Sequence, residues 1–207
     1  MTSKPKYQTE PNFEVGIKAR GYITYWEAIR ICAWKSAKGV ANFTTNTESF
    51  VESETKMALS NLSSIFGINP VTQIGNDDYW TQFQNVVTAA MGNKKTSGFL
   101  GLEGVGYPVA TAFLAIIDPN IFPVYDRWVV FAVTGENHKQ IPSKYLWTSC
   151  YTKYVIHLAT HGPAAFGAGL NIHELDQRAM QLGMDAARKK TTPQSLNPMF
   201  PIGKLNT

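Results

Sequence analysis

The chain has 207 residues, 44% of them hydrophobic and 12% aromatic, with 19 lysines and arginines against 15 aspartates and glutamates. That length and apolar content suffice for one well-packed domain over residues 1–207 and exclude a disordered chain. The net charge of +4 fits a nucleic-acid partner without demanding one; two cysteines, Cys32 and Cys150, are too few for a disulfide framework, a cysteine-rich zinc site or a four-cysteine iron–sulfur cluster.

The opening MTSKPKYQTEPNFE is polar and lacks the apolar stretch of a secretory signal. No run is long enough to span a membrane, so the expectation is a soluble cytoplasmic chain. Residues 1–20 read as an arm or an edge segment. From Tyr22 to Lys38, Ile23, Trp26, Ile29, Ile31 and Ala33 predict an amphipathic helix, with Cys32 a buried free thiol, stopped by lysines and Gly39. Thr47–Phe66 predicts a second helix that buries Phe50, Met57, Leu59, Leu62 and Ile65. Asn76 caps a third, which runs to Met91 with two aspartates in its first turn. Two further helices are expected over about 96–102 and 107–118, and another from Asp126 through Val133. Ser143–Thr160 is apolar and aromatic, with a break expected at Gly162-Pro163. Asn171 and Glu174 form a capping box for a last helix to about Arg188, and the proline-rich tail reads as irregular. No sustained period-two alternation and no repeat occurs, so the fold class is all-α.

One segment carries chemistry. FLGLEGVGYPVATAFLAIIDPNIFPVYDRW places Gly104-Val105-Gly106 between two helical patterns, with Leu102 and Ala110 available to pack them together, and Asp126 follows Gly106 by twenty residues. Glycines permit φ > 0 and leave room for a phosphate against the backbone. N–H groups at the start of the second helix then meet the anion, helped by the helix dipole. Gly104, Val105, Gly106 and Tyr107 are therefore the candidates for holding a DNA backbone. Asp126 has two compatible readings, an N-cap for the helix that follows and an acid beside the bound strand.

LEGVGYPVA together with the later VYD resembles the helix-hairpin-helix DNA glycosylases of base-excision repair, closely over about thirty residues. The resemblance implies a two-lobed helical domain that acts on double-stranded DNA as a monomer and without a cofactor. It implies that Asp126 is the catalytic aspartate, which opposes positive charge growing on the sugar as the glycosidic bond breaks. It also implies that the target nucleotide is flipped into a pocket. Tyr125 and Trp128, which flank Asp126, and Trp34 are candidates to line that pocket. Lys35, Lys38 and Arg127 are candidates for phosphates, although Arg127 could equally pair with Asp126.

The departures narrow the activity. Members that also cleave the strand carry a lysine two residues after the second hairpin glycine; that position is Pro108 here, which has no amine. Glu103 stands where the family has proline, and a carboxylate beside a phosphate is unfavourable unless it points away. The expectation is a monofunctional glycosylase that leaves an abasic site. Its target is either a lesion in host DNA or a modified base of phage DNA, the latter an antiviral role. The rival expectation is a non-catalytic DNA-binding module in which Asp126 is only a cap. His138, His157, His161 and His173 do not present a metal-ligand pattern, although His157 and His161 could share a helix face.

Overall fold

A computed structural model describes residues 16–205, with the side chains of Ala37 and Lys38 excepted. Most of the N-terminal arm therefore lies outside the described residues, and only the turn α1 (Ile17–Arg20) is seen of it. The described chain is helical throughout and forms no strand.

Helix α2 (Tyr25–Lys35) starts at a capping box: Thr24 Oγ1 accepts from Glu27 N–H, and the Glu27 carboxylate accepts from Thr24 N–H. The single helix expected over Tyr22–Lys38 is broken at Ser36, whose backbone is extended. Its hydroxyl accepts from Gly39 N–H at 3.2 Å and starts α3 (Ala37–Phe43). Gly39 is thus inside a helix rather than stopping one. Burial pushes the Cys32 thiol up to about 12, as expected of an inert core cysteine.

Helix α4 (Glu48–Leu62) is capped by Thr47 and buries Val51, Thr55, Ala58, Leu59 and Leu62. Phe50 and Met57, expected on that face, are exposed because the buried stripe is rotated away from them. Asn76 caps α5 (Asp77–Met91), and Gly92 ends it at positive φ. The short α6 (Gly98–Gly101) and α7 (Tyr107–Ile117) flank the glycine turn, and α8 (Arg127–Thr134) begins immediately after Asp126.

Helix α9 (Thr148–Phe166) runs straight through Pro163, where a break was expected. Its neighbour Gly162 explains the closeness of the next helix: a Cβ there would fall 3.0 Å from Leu175. Helix α10 (Ile172–Lys189) has the expected capping box, Asn171 with Glu174. The tail adds one turn, α11 (Pro193–Leu196), and then contributes Phe200 and Leu205 to the core, so it is less irregular than its prolines suggest. Helix α8 packs across α10, α9 bridges α10 and α5, α4 lies on α5 and α6, and α2 lies on α7.

His157, on α9, is buried between Phe200 and His161. Burial, with a smaller contribution from His161, lowers its pKa to about 4, although a bond to the Pro201 carbonyl pulls the other way. The unfolded chain takes up this proton below about 6.5 and the folded chain only near 4, so folding stability falls across that window as pH drops. The loss should reach about 3 kcal/mol. Thermal melts of wild type and His157→Gln between pH 8 and 4 check it: the difference between the two curves should grow on acidification. Parallel curves would show that His157 does not titrate in this window.

Candidate active site

The glycine turn is built from two glycines with different duties. Gly104 has φ +80°, and a Cβ there would lie 2.3 Å from the Gly39 carbonyl oxygen and 2.6 Å from Phe43 N. It is glycine because α3 crosses the hairpin backbone to backbone. Gly106 is extended (φ −105°, ψ 177°), and a Cβ there would meet nothing within 4 Å. The open approach to the start of α7 is therefore at Gly106 and Tyr107. Val105, Leu102 and Ala110 are buried in the core. Glu103 is clamped by its backbone to the Asn46 side chain in two bonds of 3.0 and 3.1 Å, and its own side chain is exposed.

Asp126 is fixed from both sides. It is the N-cap of α8: Oδ1 accepts from Trp128 N–H at 2.8 Å and from Val129 N–H at 3.3 Å. Oδ2 accepts from Lys35 Nζ at 2.7 Å, and the two side chains are 13% and 15% exposed. The segment leading into Asp126 is held by three other helices. Thr111 on α7 accepts from Tyr125 N–H, Tyr151 on α9 donates to the Pro123 carbonyl, and Asp176 on α10 accepts from Val124 N–H. A loop residue held by this many neighbours keeps its carboxylate in one place, as a catalytic group requires.

Asp126 lies on the wall of a cavity of about 570 Å³. Trp34 and Lys35 at the end of α2, Pro108 in the first turn of α7, and Trp128 at the start of α8 share that wall. One face of α10, with His173, Asp176, Gln177, Met180 and Gln181, supplies the rest of the wall together with Val124, Arg127, Gln140 and Ile141. The structure therefore brings Trp34, Lys35, Asp126, Arg127 and Trp128 together and places the start of α7 beside them. Lys35, expected on a phosphate, is on Asp126 instead. Arg127 does not pair with Asp126; it donates to the Lys139 carbonyl at 2.7 Å and lies over the Trp128 ring. Tyr125 does not line the cavity. It is 0% exposed and packs in the core against Tyr151 and Tyr154, because its odd position in the extended Val124-Tyr125-Asp126 run turns it inward. The Lys38 side chain is outside the described residues.

The α10 wall was missed in the sequence. Its signal was Asp176, an acid that with His173 interrupts a stripe of Ile172, Leu175, Ala179, Leu182, Gly183 and Ala186. A carboxyl on an apolar helical face must either be partnered or serve a purpose. Among the described residues, no three histidine, cysteine or acidic side chains gather where they could hold a metal. No helix among them is long and apolar enough to cross a membrane. Comparison with known proteins finds no matching family, no similar curated protein and no similar solved structure.

Proposed function

We propose that the chain is a monofunctional DNA N-glycosylase of the two-lobed helix-hairpin-helix type, acting as a monomer and without a cofactor. Double-stranded DNA lies on the open N–H groups of Gly106 and Tyr107. The target base is flipped into the cavity, its C1′–N bond breaks with the electron pair leaving on the base, and water completes an abasic site. The Asp126 carboxylate opposes the positive charge that develops on the sugar.

The observation that carries this reading is the position of Asp126: one rigidly held, ion-paired carboxylate on the wall of a cavity that Pro108, in the first turn of α7, also lines. A strand gripped at Gly106 stands within one helical turn of that cavity. The cavity's volume falls in the range of small-molecule sites, roughly 300–1,000 Å³, and so has room for a flipped base.

The test is a base-release assay on damaged bacterial DNA and on phage DNAs with modified cytosine, guanine or thymine, with freed bases identified by mass spectrometry. The expected result is release of one base and a strand that stays intact until alkali is added. DNA binding without release of any base moves the assignment to a non-catalytic DNA-binding module. Strand breakage before alkali that disappears in Lys35→Gln assigns a lyase step to the one amine paired with Asp126.

A further inference from the structure

Two carboxyl groups share the cavity in opposite surroundings. Asp126 is ion-paired to Lys35 on its wall. Asp176 is 3% exposed, and its two bonded donors are uncharged: the Tyr154 hydroxyl reaches Oδ1 at 2.5 Å and the Val124 N–H reaches Oδ2 at 3.0 Å. A carboxylate has about four lone-pair sites on its two oxygens, and these bonds take one on each. The remaining sites are free to carry a proton on a group that lines the cavity wall.

From this arrangement we propose that Asp176 is the general acid of the reaction and gives its proton to the departing base while Asp126 faces the sugar. The proposal rests on the glycosylase reading. As the C1′–N bond breaks, its electron pair moves onto the base, and the Asp176 O–H proton passes to a ring nitrogen or exocyclic oxygen of that base. Water adds its hydroxyl to C1′, and its remaining proton leaves through Asp126 to solvent. Solvent then reprotonates Asp176, so the sum is DNA plus water giving an abasic site and the free base.

The electrostatics agree with the geometry. Burial raises the Asp176 pKa to about 7, and the charge of Asp126 adds to that push; the Tyr154 bond, His173 and the Val124 N–H act in the opposite direction. The titratable groups around it are Tyr151 and Tyr154 from α9, both pushed well above the usual tyrosine range by burial, Asp126 from the start of α8, and His173 on α10 itself. A buried carboxyl that holds its proton to higher pH can serve as the acid beside a second, ion-paired carboxyl.

The experiment measures single-turnover base release against pH on the DNA panel above, with carboxyl titration by carbon-13 NMR on aspartate-labelled protein. Wild type should hold its rate below about pH 7 and lose it above. Asp176→Asn, which keeps the side chain's shape, should cut release roughly a hundredfold or more and abolish that limb. Tyr154→Phe removes a bond that lowers the pKa, so it should move the limb to higher pH and keep the plateau. His173→Gln removes a smaller lowering influence, so it should move the limb in the same direction by less than Tyr154→Phe does. A carboxyl signal that titrates near 7 should be present in wild type and absent from Asp176→Asn. Undiminished release by Asp176→Asn, or an Asp176 signal that titrates in the ordinary carboxylate range, overturns the proposal alone. A signal near 7 with no release from any DNA overturns the glycosylase reading, and this proposal with it.

Discussion

Asp126→Asn should reduce base release by a factor on the order of a hundred to a thousand and leave DNA affinity unchanged or higher. Asparagine caps helices as well as aspartate does, so the bonds to Trp128 and Val129 N–H and the start of α8 survive. Only the charge is lost. The sugar cation then has no carboxylate opposite it, and the transition state loses most of its electrostatic support. The Lys35 ammonium, held at 2.7 Å by Asp126 in the wild type, is freed to meet a phosphate, which should tighten binding and steepen its salt dependence. Single-turnover release and salt-dependent affinity, measured side by side with thermal melts, check both halves. Retained release would remove Asp126 from the chemistry. A lowered melting temperature with lost binding would show that the substitution had damaged the fold instead. Asp126→Ala provides the complementary case: it should also lose release, with an added cost of about 1 kcal/mol in stability for the missing cap.

Local rules made part of this molecule legible before its structure. The capping signals at Asn76 and at Asn171 with Glu174 marked helix starts correctly, because a cap is a bond between neighbours in sequence. Asp126 was readable as a cap for the same reason. The failures that reshape the site involve partners distant in the chain. Ser36 splits the expected α2 because its hydroxyl can start a new helix, and that helix, α3, is stabilised by packing on the hairpin some sixty residues on. Tyr125 looked like a pocket residue from its position beside Asp126, yet its N–H bond to Thr111 and its ring contacts with α9 turn it into the core. Lys35 looked like a phosphate ligand at a helix end, but an ion pair across 91 positions cannot be read from the helix it ends. The α10 wall was hidden for a related reason. Its periodicity predicts a buried face, and only the meeting of α10 with the start of α8 turns part of that face into a cavity.

Gly104→Ala should destabilise the protein by roughly 3 kcal/mol, whereas Gly106→Ala should not, although the two glycines look equivalent in the GVG turn. At Gly104 an alanine needs a left-handed backbone, which costs about 1–2 kcal/mol by itself. Its methyl group would also overlap the Gly39 carbonyl at 2.3 Å and Phe43 N at 2.6 Å, and both are backbone atoms that cannot rotate aside. The hairpin and α3 would have to separate, at a further cost of about 1–3 kcal/mol for overpacking. In a domain of this size that lowers the melting temperature by roughly ten degrees. Gly106 has an extended backbone that any residue adopts and open space where a methyl would go, so alanine there should change stability by about 0.5 kcal/mol at most. Its effect should fall on DNA instead, because the new methyl occupies the approach of a phosphate to the start of α7. Denaturant midpoints and DNA affinities for the two variants separate these duties. Wild-type stability in Gly104→Ala would mean that α3 does not press on the hairpin as described. Wild-type affinity in Gly106→Ala would place the bound phosphate elsewhere, and with it the strand that the cavity beside Pro108 is proposed to receive.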